Sequence, residues 1–261
     1  MINPISLLNR FYHQLASPRE FYRISGYLTP VFGFLSLILF LVGAYLGLVV
    51  APTDYQQGES YRIIYVHVPA AWMSLMIYMT MAIAGAIALI WQMKMAFTVV
   101  VCSAPIGAMF TALALATGSI WAKPTWGAWW AWDARLTFEL ILLFMYFGII
   151  ALHQAFDERR IAERATAMMS VVGVVIVPII HYSVEWWSSL HQGPTVFRTG
   201  GSAMPDSMKN PLLIMWASAL FYYGYVLFLN ARAAVLEQNP NTKWVQSLVA
   251  SWIEGERREH N

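Results

Sequence analysis

The sequence specifies an all-α polytopic membrane protein with six transmembrane helices, and three observations lead there. Of its 261 residues, 59% are hydrophobic and only 11% charged, with a mean hydropathy of +0.53; soluble domains carry about a quarter charged residues. Six apolar stretches reach the roughly 20 residues that cross a bilayer core. Lysine and arginine then fall unevenly between the two sets of loops, which gives the orientation.

The spans run over residues 29–50, 64–91, 95–117, 136–156, 165–184 and 211–230. Residues 1–28, with Arg10, Arg19 and Arg23 among Phe11, Tyr12, Phe21 and Tyr22, read as an interfacial lead-in to a signal anchor. No short apolar region followed by a small-residue cleavage site is visible there. Spans two and three are separated only by Gln92, Met93 and Lys94 and must form a tight hairpin. Pro178 is expected to kink the fifth span and Glu185 to close it. A single membrane domain over 1–261 is expected, with long loops at 118–135 and 185–210 on one side and a tail at 231–261.

Counting by loop parity puts Arg10, Arg19, Arg23, Lys94, Arg159, Arg160, Arg164, Arg232, Lys243, Arg257 and Arg258 on one side. The other receives Arg62, Lys123, Arg135, Arg198 and Lys209. The richer set is expected to be cytoplasmic, with both termini inside. The formal charge of +2 is no footprint for nucleic acid. Cys102 is the single cysteine, which excludes an internal disulfide, a CxxC redox pair and a CxxCH haem attachment.

Parity brings three pieces of sequence to the outer face. The loop between spans three and four holds Trp121, Trp126, Trp129, Trp130 and Trp132, followed by Asp133 and Arg135. His67 begins span two and His181 ends span five. A belt of interfacial aromatics is one reading of the tryptophans; a platform for a flat apolar ligand is the other. If 126–133 were helical, Trp126, Trp129, Trp130 and Asp133 would share one face.

Histidine in or near a span costs free energy and suggests function, although either one can simply hydrogen-bond at the interface. Two imidazoles from facing helices can hold a haem iron axially. Zinc fits less well, because neither cysteine nor a third close histidine completes four ligands. His191, ten residues beyond His181 on the same side, competes for the second position; His13, His153 and His260 fall on the cytoplasmic side. Arg135, Arg62 and Lys123 are cations suited to carboxylates. Arg135 has an alternative in a bridge to Glu139, and Asp133 in capping span four. Glu185 is a candidate to orient His181.

The string "WGAWWAWDARLT" resembles the tryptophan-rich WWD signature of bacterial haem-handling membrane proteins used in c-type cytochrome assembly. With "GSIWAKPTWG", "YVHVPAAWMS" and "PIIHYSVEWWSSLHQG", the chain resembles the cytochrome c maturation protein C, or haem exporter protein C, family over spans two to five. The larger haem lyase subunits that share the signature have many more helices. The resemblance implies a haem carrier of the inner membrane, not an enzyme, that delivers haem b to a periplasmic haem chaperone. It implies His67 and His181 as axial ligands, and Trp121, Trp126, Trp129, Trp130, Trp132, Asp133 and Arg135 as the haem and chaperone platform. ATP-binding-cassette subunits and a small one-span protein are the implied partners, within membrane lipid. A b-type redox cytochrome and a secondary transporter are the competing classes; the first usually buries its histidine pairs within a bundle, and the second needs midplane charges.

Overall fold

The computed structural model describes residues 17–187, 189–193, 195–197 and 200–259, and among these every regular element is helical. Arg10, Phe11, Tyr12, His13, Ser188, Arg198 and His260, which entered the sequence reading, lie outside them.

Helix α1, Pro18–Tyr45, opens on Ser17, whose hydroxyl accepts the Glu20 amide at 3.5 Å, with proline in the first turn. It runs on into a widened turn at Leu46–Val50. The described part of the expected lead-in and the first span are thus one helix, which runs on through Pro30 at their junction. A 3₁₀ turn at Glu59–Ile63 leads into α2, Ile64–Trp91. Gln92, left-handed at φ 54°, turns the chain into α3, Lys94–Trp126, and closes the expected hairpin. Helix α4 is Ala134–Gln154. The fifth span comes in two pieces, α5 (Arg159–Gly173) and α6 (Ile176–Trp186). The break at Val174–Val175 lies one turn before Pro178, whose missing N–H deprives the Val174 carbonyl of its helical partner. Helix α7, Asp206–Gln238, and α8, Lys243–Glu259, complete the chain.

Among the described residues, six spans are long and apolar enough to cross a membrane. Helices α2 and α3 form the centre, with α4, α5 and α7 around them and α1 laid along α7. Tyr78, Tyr146, Met73, Ile77, Met81 and Leu142 are fully buried there. A polar knot sits among them: the Ser74 hydroxyl donates to Glu139 at 2.6 Å, and the Tyr146 hydroxyl donates to the Ser74 carbonyl at 2.7 Å. Burying a carboxyl is tolerable only with such partners.

An even number of spans returns the chain to the side where it began. Arg232 of α7 lies 3.9 Å over the Tyr22 ring of α1, and Trp244 of α8 meets the same ring at 5.6 Å. The tryptophan-rich segment occupies the opposite end of the bundle.

Candidate functional site: a cleft at the tryptophan end

Each wall of the site is built by a local sequence choice. His67 lies near the start of α2, where its Nδ1 is 3.0 Å from the Ala114 carbonyl and 3.1 Å from the Thr117 hydroxyl. A carbonyl can only accept, so Nδ1 carries the proton and Nε2 keeps its lone pair. Gly118 lets α3 come this close: a Cβ there would stand 3.0 Å from His67 Cε1. Trp121 meets the His67 ring edge-on at 5.6 Å and donates its indole N–H to Gln57 at 2.7 Å.

One turn later α3 stops. Gly127 adopts φ 79°, its amide bonded to the Lys123 carbonyl at 3.1 Å, and the Lys123 ammonium returns to the Gly127 carbonyl at 3.0 Å. This glycine cap is why the condition for a shared helical face over 126–133 is not met. The five tryptophans divide instead. Trp121 and Trp126 face inward, whereas Trp129 and Trp132 are 59% and 79% exposed. Trp130 is half-buried against Trp132, with its indole nitrogen buried and unpartnered.

Asp133 caps α4, one oxygen accepting the Arg135 amide at 2.9 Å; the other accepts the Leu190 amide, also at 2.9 Å. His191 is drawn beside it, Nδ1 at 3.4 Å from the carboxylate, a distance of attraction without hydrogen-bond alignment. The Trp126 ring closes on His191 at 5.0 Å. Burial, aided by the charge of Arg135, pushes His191 down to about 4, although Asp133 pulls the other way. Burial works to raise Asp133, yet the Ser189 hydroxyl and the Leu190 and Arg135 amides outweigh it and hold the carboxyl below its ordinary value.

These pieces enclose a cleft of about 1090 Å³, just above the roughly 300–1,000 Å³ usual for ligand sites. His67, His181 and His191 all line it, with Arg135 and the aromatics Trp72, Trp121, Trp126, Tyr182, Phe197 and Trp216. Trp129, Trp130, Trp132 and Asp133 do not. Arg62 and Lys123 also stay outside, engaged with Glu59 and with the Gly127 carbonyl. The bridge from Arg135 to Glu139 does not form: among the described residues the guanidinium pairs with no carboxylate, and Glu139 turns to Ser74. Glu185 lines the cleft but makes no hydrogen bond to His181, which is exposed and touches Tyr182 edge-on at 4.8 Å. Gln57, Phe197 and Trp216 come from segments that carried no motif, and Trp72 lies in the string around His67 without having been assigned to the site.

The family model for haem exporter protein C matches residues 11–246. Haem exporter protein C of Escherichia coli is 49% identical over 237 residues, 91% of this chain and 96% of that one. The Haemophilus influenzae protein of that name is 46% identical over 239 residues, 92% and 97% of the two chains. The Bradyrhizobium diazoefficiens protein is 44% identical over 201 residues, 77% and 76%. The chain belongs to the haem exporter protein C family. Membership agrees with the six spans and makes this a multi-pass protein of the bacterial inner membrane. The cleft joins the segment that runs from Gly118 to Arg135 to the loop that follows the fifth span.

Proposed function

We propose that the chain binds haem b in this cleft, at the periplasmic face, and passes it to a periplasmic haem chaperone for c-type cytochrome assembly. One observation carries the reading: segments far apart in sequence bring three imidazoles, an unpaired guanidinium and six aromatic rings around one cleft. Family membership supports haem handling as the task, in a delivery component rather than an enzyme. By loop parity eleven of the sixteen lysines and arginines fall on the side opposite the tryptophan-rich loop, which supports a periplasmic opening.

The residues suit the cargo's chemistry. Trp121, Trp126 and Trp72 offer flat apolar surface to a porphyrin, and Arg135 offers a fork to its propionates. His67, with Nε2 free, is the first axial ligand. His191 is favoured over His181 for the second. Its Nδ1 stands 3.4 Å from the Asp133 carboxylate, close enough for that charge to attract this side of the ring. It lines the same cleft as His67 and is mostly buried, whereas His181 is exposed and without an orienting partner. His67 with His181 is the second reading, favoured by the place of both in the same lining. Exposed Trp129 and Trp132, with Trp130 behind them, suit the landing of the chaperone. An ATP-binding-cassette complex and a small one-span protein complete the proposed machinery.

Visible spectra of the purified native chain and of His67→Ala, His181→Ala and His191→Ala test this. A low-spin six-coordinate spectrum lost in His67→Ala and His191→Ala, but kept in His181→Ala, is the expected result. Loss with His181→Ala instead selects the second pair. A native protein that takes up no haem sinks the haem reading.

A further inference from the structure

The cleft does not end at the rim. From His67 its lining continues down α2 through Ala71, Leu75 and Met76 to Met79. From His67 to Met79 the helix axis rises about 18 Å, more than half of a hydrocarbon core roughly 30 Å thick. The polar groups Gln57, Arg135, His191 and Glu185 belong to the rim, while the lower half is apolar, with Val177 and Pro178 of α6 across from α2.

The broken fifth span creates this lower slot. Below the break, α5 packs along α2; above it, α6 leans on α4 and leaves α2 largely uncovered. Helices α6 and α7 form no packed interface with each other, so they flank a slot floored by α2. Met79 at its bottom and Tyr182 on its flank are 38% and 41% exposed, which turns the open side toward lipid. On the α7 flank the Trp216 indole N–H is buried and, among the described residues, has no hydrogen-bond partner.

We propose that haem enters this site sideways, from the hydrocarbon of the membrane, through the slot between α6 and α7. The inference rests on the haem reading above. The gradient along the slot matches the cargo: carboxylates at one edge of the porphyrin, methyl and vinyl groups at the other. Haem dissolved in the outer half of a bilayer, propionates at the headgroups, already has the orientation in which Arg135 and the imidazoles receive it. Sliding along α2 keeps the apolar edge out of water throughout, and no polar path through the bundle is required.

The test uses the folded full chain in lipid vesicles with haem dissolved in the lipid. Met79→Cys and Gln56→Cys each place one exposed thiol, at the bottom of the slot and at the rim, to be modified after folding with the same bulky maleimide. Buried Cys102 serves as the labelling control in the native chain. The expected result is loading slowed about tenfold or more by the slot label and less than about twofold by the rim label, with the same final spectrum. Slowing by the rim label alone, by both equally, or by neither overturns the sideways route. If unlabelled protein takes up no haem at all, the haem reading fails and not the route.

Discussion

Asp133 and His191 stand side by side although they belong to different loops, carboxylate oxygen to imidazole Nδ1 at 3.4 Å. The same carboxylate starts α4 through the Arg135 amide and pins the later loop through the Leu190 amide. Asp133→Ala removes cap and pin together, at a cost of about 0.5–2 kcal/mol for the cap alone. Faster proteolysis within residues 189–193 is the expected sign, with Asp133→Asn intermediate. Equal cleavage rates in native and Ala proteins would show that nothing is pinned.

The pH response follows from His191, held at about 4 in the fold against roughly 6.5 in an unfolded chain. On acidification the unfolded chain takes up this proton first. The stability of the loop is therefore full above pH ~6.5, falls as pH drops toward about 4, and levels below that. Hydrogen exchange of the Leu190 and His191 amides measures it. His191→Gln is expected to flatten the response across that window; an unchanged slope assigns it to another group.

The division of the tryptophans predicts two kinds of defect. Trp121→Ala and Trp126→Ala are expected to weaken haem retention by about three- to tenfold each, the scale of one aromatic contact. Trp129→Ala and Trp132→Ala are expected to leave retention unchanged and reduce transfer to the chaperone. Haem titration and a chaperone-loading assay on the same four variants separate the two. A uniform loss of retention would falsify the division.

Gly118 is expected to tolerate no large side chain, because its missing Cβ faces His67 Cε1 at 3.0 Å. Gly118→Val should push the ring from its Ala114 and Thr117 partners and convert bound haem to a high-spin spectrum, while circular dichroism stays native. A low-spin spectrum in that variant means that His67 is not the ligand.

Arg135 and Glu139 are one turn apart yet have separate tasks. Arg135→Gln is expected to weaken haem binding by the loss of a charged hydrogen bond, about 1.5–3 kcal/mol. Glu139→Gln retains an acceptor for Ser74 and should change thermal stability more than haem affinity. Equal effects on affinity would make the two a functional pair.

The spans were readable because hydrocarbon imposes a length and an apolar composition on any helix that crosses it. Pro178 announced the broken fifth span, although the break falls at Val174–Val175, where the Val174 carbonyl, denied its partner at 178, accepts the Val177 amide at 3.0 Å instead. Asp133 was readable as a cap, but its hold on Leu190 joins distant residues and leaves no local mark. Gly127, with Lys123 in the turn before it, was the signal that the helix ends at Trp126; the i, i+3, i+4, i+7 spacing of the tryptophans concealed it. Gln57, Trp72, Phe197 and Trp216 reach the cleft only through packing, which no spacing rule reports.

The turn at Gly127 has a kinetic consequence. Trp126 on the cleft wall and exposed Trp129 are three residues apart, about 10 Å of extended chain at most. On the proposed reading, a chaperone seated on Trp129 and Trp132 stands within one porphyrin width of the cargo it is to receive. Transfer is then an exchange between neighbours at high effective concentration. Its rate is set by ligand swapping at the iron, and the cleft can hold haem tightly against water without holding it against the partner.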